Sequence, residues 1–284
     1  MLRMLRNGGT FYGTPEYNSA HVLKAYFDKY PGDASKVVIS IKGGHGAKGV
    51  DGSEANMRNE VEEFYKVVGD RCKIDIFECG RVDPNTPIET TVGALAKLVE
   101  EGKIGGVGLS EVKAETIRRA AKVTKIASVE VEFSIFTPDI LTNGVADACA
   151  ELGITIVGYS PFSRGLLTGE IRKIDDLPEN DMRRHYPRFQ PENFAKNIEL
   201  VDEIAELAKS KGCAPSNIAL AWIHSKSGHP AEIVPIPGTT TPARLDENMV
   251  QVSLTDDELK HLDQTAGKAA GGRYPDAINA LSWG

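Results

Sequence analysis

The sequence has no cysteine pair at redox or metal spacing. Cys72, Cys79, Cys149 and Cys213 are scattered, with no C-x-x-C and no histidine at zinc-ligand spacing. That excludes a zinc ribbon or a disulfide framework, and the thiols read as reduced, mostly buried side chains of a cytoplasmic protein. Positive charge is also in short supply. There are 33 Lys and Arg against 40 Asp and Glu, a net charge of -7, with a pI near 5.5. Nucleic acids and anionic membrane surfaces need a basic face, so neither is an expected partner. No apolar run approaches the ~20 residues of a membrane span. The opening Met1–Gly9 holds no apolar core of the length a secretory signal needs, and its arginines are too few for a transit peptide. Internal repeats and low-complexity tracts are missing as well. A chain of 284 residues, 41% hydrophobic and 26% charged, suits one domain over residues 1–284.

What the chain does have is alternation. The β-branched runs Val37–Ile41, Ile74–Phe77, Gly105–Leu109, Ser128–Phe133, Ile154–Tyr159 and Ile233–Ile236 read as strands. Between them Glu54–Val68, Glu89–Glu101, Ala114–Lys122 and Asp139–Glu151 read as amphipathic helices. Thr86-Pro87-Ile88-Glu89 has the spacing of a capping box, and Gly102 is placed to close the same helix. Strict βα alternation implies a parallel sheet with helices outside it, either an open doubly wound sheet or a closed barrel. Polar residues follow almost every strand: Lys42, Arg81 and Asp83, Ser110 and Glu111, Glu130 and Glu132, Ser160, Thr239. An open sheet gathers its ligand groups at one switch point, whereas a barrel spreads them round one mouth, so the expected fold is an α/β (β/α)8 TIM barrel. The Pro- and Arg-rich stretch from Ser163 to Phe194 reads as a long binding loop or lid. The tail after Gly267 reads as irregular.

One motif is misleading. Gly44-His45-Gly46-Ala47-Lys48-Gly49 is a literal G-x-G-x-x-G after a strand, but the next helix begins only around Ser53-Glu54. A Rossmann pyrophosphate turn needs its third glycine in the first helical turn, so a glycine loop beside a site fits better. His45 in that loop is a candidate substrate contact, although a loop histidine needs no role.

Two residues carry potential chemistry. Tyr12 follows Asn7-Gly8-Gly9-Thr10-Phe11 at the end of a short predicted strand, and Lys42 ends the next. Consecutive strand ends are neighbours in a parallel barrel. A phenol titrating near ~10 is a poor acid at neutral pH, and an ammonium beside it stabilises the phenolate. Such a pair can protonate a carbonyl oxygen while hydride reaches carbon. On spacing alone, ordinary strand-end residues explain the pair better than catalysis does.

Eight blocks, in order, resemble the aldo-keto reductase superfamily. They are Phe11-Tyr12-Gly13, Ile41-Lys42-Gly43, Arg81-Val82-Asp83-Pro84, Gly106-Val107-Gly108-Leu109-Ser110, Val131-Glu132-Phe133-Ser134, Gly158-Tyr159-Ser160-Pro161-Phe162, Arg164-Gly165-Leu166-Leu167-Thr168-Gly169 and Ile236-Pro237-Gly238-Thr239. Ala243-Arg244-Leu245-Asp246-Glu247-Asn248 follows the last. Asn7-Gly8-Gly9, Lys42-Gly43-Gly44, Cys79-Gly80-Arg81 and Leu109-Ser110-Glu111-Val112 are similar to the fungal pyridoxal reductase branch in particular. The resemblance implies Tyr12 as acid with Lys42 as its partner, and NADPH as cofactor. It implies that Tyr159 stacks on the nicotinamide, that Ser110 and Glu130 face its carboxamide, and that Ser160, Phe162, Arg164 and Gly238 line the cofactor. Thr239 and Arg244 would hold the adenosine 2′-phosphate, a task suited to guanidinium, with Glu247 and Asn248 on the adenine.

The pattern is also broken. Asn7 stands where the resemblance leads one to expect an aspartate paired to the lysine, so that charge is missing at its usual place. Gly80 replaces a carbonyl-positioning histidine and is expected to open space there. Glu111 and Glu130 replace an Asn and a Gln at the carboxamide. Family members carry a capping hairpin, a first strand and a helix ahead of the tyrosine. The chain is therefore expected to lack on the order of 30 residues of barrel, with Met1–Arg6 a remnant of the first helix. The expected activity is NADPH-dependent reduction of an aldehyde, pyridoxal to pyridoxine, with the closing residues including Trp283 contributing to specificity. The alternative is a nucleotide-binding regulatory barrel without turnover.

Overall fold

The computed structural model describes residues 4–46, 49–279 and 282–284, and the chain divides into two compact units. The first runs to Glu130 and includes residues 148–155 and 282–284; the second takes Val131–Asp147 and the chain from Ile156 to residue 281.

In the first unit the apolar runs become parallel strands. They are β1 (Met4–Gly9), β2 (Val37–Gly43), β3 (Ile76–Cys79), β4 (Val107–Ser110) and β5 (Ile126–Glu132), whose last two residues belong to the second unit. Each strand pairs with the next. Asn7 lies opposite Ser40, Lys42 opposite Glu78, Glu78 opposite Gly108, and Ser110 opposite Glu130. The connecting helices are α1 (Ser19–Lys29), α2 (Glu54–Val68), α3 (Ile88–Glu100) and α4 (Ala114–Ala121). The second helix shows why they form. Met57, Val61, Phe64 and Val68 recur at helical spacing and are buried, Ser53 accepts from Asn56 N–H at 3.3 Å, and Gly69 ends the helix at φ 63°.

The helix α5 (Val145–Leu152) precedes β6 (Thr155–Tyr159). In the second unit β6 pairs parallel with β7 (Ile233–Ile236), Tyr159 opposite Ile236. The helices there are α6 (Pro191–Ser210), α7 (Pro215–Lys226), α8 (Pro242–Asn248), α9 (Asp256–Thr265) and α10 (Asp276–Asn279). In α7, Trp222 is fully buried and its indole N–H donates to Asp263 at 2.8 Å.

Several local expectations change. Residues 4–9 form a strand, not a helix remnant, because their parallel hydrogen bonds to β2 override local propensity. Thr86 does not cap: Pro87 occupies the cap position with no side-chain hydrogen bond, and the Thr86 hydroxyl donates to Asp83 at 2.7 Å. Gly102 closes α3 as expected, at φ 70°. The segment read as one helix from Asp139 is a short turn, Asp139–Leu141, followed by α5. The Ser163 segment is a chain of single helical turns that ends where Pro191 starts α6. The glycine loop is no helix start: His45–Gly46 pairs antiparallel with Gly49–Val50, while Ala47 and Lys48 lie outside the described residues.

Candidate active site

The first unit gathers a buried polar cluster at one end of its sheet. Lys42, only 4% exposed, donates to Glu130 Oε1 at 2.5 Å, and its ammonium lies 3.4 Å from the Tyr12 hydroxyl. Asn7 donates its amide to Glu130 Oε2 at 2.6 Å and to Glu78 Oε1 at 3.2 Å, and Ser40 donates to the same Glu78 oxygen at 3.3 Å. Lys42 and Glu130 stand three strands apart. On an intervening strand Gly108 has no room for a side chain: a Cβ there would lie 2.9 Å from Glu78 Cβ and 3.1 Å from Ser128 Oγ. Tyr12 is not at a strand end. Beyond Gly9 the chain turns, with Tyr12 N–H donating to the Gly9 carbonyl at 3.2 Å, and the turn leaves the phenol 44% exposed above the buried lysine.

The electrostatics follow from burial. Desolvation alone would push the Lys42 ammonium down, but Glu78 and Glu130 outweigh it and hold the group above the ordinary lysine range. Desolvation, reinforced by the carboxylate of Glu130, pushes Glu78 well above the usual carboxyl range. Folded protein therefore keeps a proton on Glu78 that the unfolded chain gives up around 4.5. The stability linked to this proton is present below that pH and is lost as pH rises toward the folded value. Glu78→Gln keeps an oxygen for Asn7 and Ser40 and removes the titration. It should become more stable relative to the parent as pH is raised from acidic to neutral, read by urea denaturation at each pH. A stability difference that does not change with pH would contradict this account of Glu78.

Around the cluster stand further expected residues. Ser110 is fully buried, and Arg81 Nη1 reaches its hydroxyl at 3.5 Å. Glu111 is buried with a left-handed backbone, φ 52°, and its carbonyl accepts from Gly284 N–H at 3.2 Å. Trp283, at φ 63°, precedes Gly284, whose carbonyl accepts from Lys113 N–H at 3.3 Å just ahead of α4. The space expected beside Gly80 is not open. A Cβ on Gly80 would meet the Gly43 carbonyl at 3.0 Å, Lys42 Cγ at 3.1 Å and His45 Cε1 at 3.4 Å. His45 leans into that place while its ring packs on Phe11 at 4.0 Å, and its buried Nδ1 has no hydrogen-bond partner. Burial and then the Arg81 guanidinium push its pKa down, which favours neutral imidazole.

In the second unit Tyr159 ends β6, and its hydroxyl shares a 2.7 Å hydrogen bond with that of Tyr274. Ser160 (φ 51°), Ser163 (φ 47°) and Arg164 (φ 60°) follow in the left-handed region, a strain of about 1–3 kcal/mol each that collects at functional sites. The Phe162 carbonyl accepts from Gly165 N–H at 2.9 Å, which closes this turn. The Arg164 guanidinium lies 4.7 Å from the Tyr186 ring and 4.5 Å from the Tyr274 ring, and donates to Glu132 at 3.2 Å. Gly238 and Thr239 are exposed, with nothing near the Cβ position of Gly238. Arg244 leads α8 and pairs with Glu170 at 2.6 Å, both side chains more than half exposed. Glu247 accepts from Ser216 at 2.5 Å, and Asn248 is the last residue of α8.

The sequence itself settles the family: the aldo/keto reductase family model matches residues 1–266. The chain belongs to the aldo/keto reductase family. It is 37% identical over 271 residues to a probable pyridoxal reductase 2 of Schizosaccharomyces pombe, covering 92% of this chain and 81% of that protein. An aldo-keto reductase yakc [NADP(+)] of the same yeast is 39% identical over 259 residues, covering 87% and 75%. A probable aldo-keto reductase 1 of Glycine max is 37% identical over 287 residues, covering 97% and 81%. Among solved structures, a glycerol dehydrogenase from Gluconobacter oxydans matches with a TM-score of 0.79 at 24% identity, covering 93% of this chain and 81% of that one. A thermostable aldo-keto reductase matches with a TM-score of 0.70 at 22% identity, covering 91% and 81%. The fold is that of the (β/α)8 barrel reductases, with seven parallel strands among the described residues. As an aldo-keto reductase the chain is an NADP-dependent oxidoreductase.

Sequence reasoning missed Glu78 and Glu60 of this aldo-keto reductase, and the arginine partners of Glu132, which it places only among the strand-end polar residues. Glu78 interrupts the apolar run Ile76–Cys79, and an acid in a buried strand was the available signal. Glu60 sits inside α2 and accepts from Gly44 N–H and from Thr10 Oγ1, the latter at 3.0 Å. Glu132 is fully buried beside Arg164, with Arg188 at 3.7 Å and Arg273 at 4.0 Å. Nothing in the spacing of those arginines announces their meeting.

Proposed function

We propose that this reductase converts an aromatic aldehyde, pyridoxal foremost, to its alcohol with NADPH. The observation that carries the reading is the buried Lys42 ammonium 3.4 Å from the Tyr12 hydroxyl. NADPH, when bound, supplies the hydride for the aldehyde carbon. The Tyr12 hydroxyl gives its proton to the aldehyde oxygen, and the Lys42 ammonium, held by Glu130, stabilises the phenolate left behind. Phe11 meets Tyr12 edge to face with ring centroids 4.8 Å apart and lies tilted against His45 at 4.0 Å, so an aromatic surface of three angled rings adjoins the acid. That surface, together with the likeness to a probable pyridoxal reductase, supports an aromatic rather than an aliphatic aldehyde.

The residues present fit the cofactor. Arg244 offers an exposed guanidinium suited to a phosphate, the backbone at Gly238 is open to close approach, and Tyr159 presents a half-buried ring. Tyr159, Ser160, Phe162 and Arg164 would line the nicotinamide side, Ser110 its carboxamide, and Thr239, Arg244, Glu247 and Asn248 the adenosine. Glu170 would give up Arg244 to the 2′-phosphate. Arg244→Ala should raise the NADPH KM about 10–100-fold, the worth of one charged hydrogen-bond pair, and leave the NADH KM unchanged. Equal effects on both cofactors would remove Arg244 from the phosphate site. The substrate is tested by comparing kcat/KM for pyridoxal with that for a panel of aliphatic and aromatic aldehydes. A preference for aliphatic aldehydes would overturn the substrate assignment.

A further inference from the structure

In the buried cluster of the first unit, Lys42 has a carboxylate partner on β5, the fifth strand of the sheet, while β1 contributes the neutral amide of Asn7, which donates to the same carboxylate. Glu130 Oε1 accepts from Lys42 and its Oε2 accepts from Asn7, so both oxygens are engaged within the protein. Glu130 is 2% exposed and Lys42 4%, which removes water as a competing partner for either. The ammonium's other neighbour is the Tyr12 hydroxyl at 3.4 Å. A flexible four-carbon side chain with three donors needs a fixed counter-charge to keep one direction. The other titratable groups facing this ammonium are Glu78 and the phenol of Tyr12, and Asn7 bridges the two carboxyls.

We infer that Glu130 is a positioning residue for the reduction: its carboxylate aims the Lys42 ammonium at Tyr12, and Asn7 completes the same pair from the opposite side. This rests on the reading that Tyr12 and Lys42 carry out proton transfer. The geometry makes a definite demand on charge. Asn7 Nδ2 and Glu130 Oε2 are in hydrogen-bond contact, so exchanging amide and carboxylate between the two positions moves the negative charge by about one hydrogen-bond length. Lys42 would still find one carboxylate and one amide oxygen. Asn7→Asp alone adds a third carboxyl to a pocket with one cation, and Glu130→Gln alone leaves the lysine to turn toward Glu78 and away from Tyr12.

The test measures NADPH-dependent reduction of pyridoxal, and NADPH binding by fluorescence, in the parent, Glu130→Gln, Asn7→Asp and the double variant. Glu130→Gln is expected to lose about 100-fold in kcat, near the lower bound of a general acid's contribution, while binding NADPH like the parent. Asn7→Asp is expected to lose activity as well. The double variant should recover at least tenfold over Glu130→Gln, a result no merely structural contact would give. Glu130→Gln with parental kcat overturns the inference. So does a variant in which only the NADPH KM rises, since Glu130 would then be a cofactor ligand. A double variant that stays at the rate of Glu130→Gln, or does not fold by circular dichroism, also overturns it. Absence of turnover in the folded parent is a different result and counts against the proposed function itself.

Discussion

Tyr12→Phe is expected to lower kcat for aldehyde reduction by about 10²–10⁴-fold while NADPH binding stays at the parent level. The phenol is a proton donor in contact with the buried ammonium and is also open to solvent, with Tyr12 44% exposed where Lys42 is 4%. Removing its oxygen takes away only the hydrogen bond to Lys42 and leaves the ring packed on Phe11. Fold and stability should therefore change little, since an exposed hydroxyl has water as an alternative partner. Steady-state rates with fluorescence titration of NADPH check both halves. A mutant that keeps the parental rate would mean that another group supplies the proton.

Lys42→Met should have the larger structural effect. It removes the cation that faces Glu78 and Glu130, both nearly fully buried, and leaves them with the hydrogen bonds from Asn7 and Ser40. Breaking a buried pair from one side costs about 3–5 kcal/mol. The sign of the pH dependence follows. Without the ammonium, whose charge opposes the rise, burial holds the Glu78 carboxyl in its protonated form still more firmly, so the folded variant binds more protons than the unfolded chain. Its penalty is then smallest at or below the ordinary glutamate range and grows as pH rises above it. Urea denaturation of parent and variant at acidic and neutral pH reads this directly. Equal destabilisation at both would show that the carboxyls are not held by Lys42. Turnover should fall at every pH, because the phenolate loses its counter-charge.

The fold was legible because it rests on periodicity. Glu54–Val68 and Ile233–Ile236 fall at their expected bounds, and the other strands and helices of the alternation lie within a few residues of theirs or, for Asp139–Glu151, in two pieces. Tyr12 and Lys42 were legible because they sit in short motifs at consecutive strands, and their contact in the structure follows from parallel pairing of β1 with β2. The carboxyl partners were not. Lys42 meets Glu130 across two intervening strands, a distance in sequence of 88 residues that no local pattern encodes. The room expected beside Gly80 was misjudged for a similar reason, since His45, from a different loop, fills it. Side-chain convergence in a curved sheet depends on what its neighbours leave empty, and that is a tertiary quantity.

One measurement tests the reductase reading most directly: the products formed when the purified chain is incubated with NADPH and pyridoxal. The expected result is one pyridoxine formed for each NADPH oxidised, with no NADPH consumed when the aldehyde is omitted and none in Tyr12→Phe. A folded chain that binds NADPH but oxidises none of it, with pyridoxal or with any aldehyde of a broad panel, would contradict the reductase reading and favour a nucleotide-binding barrel without turnover.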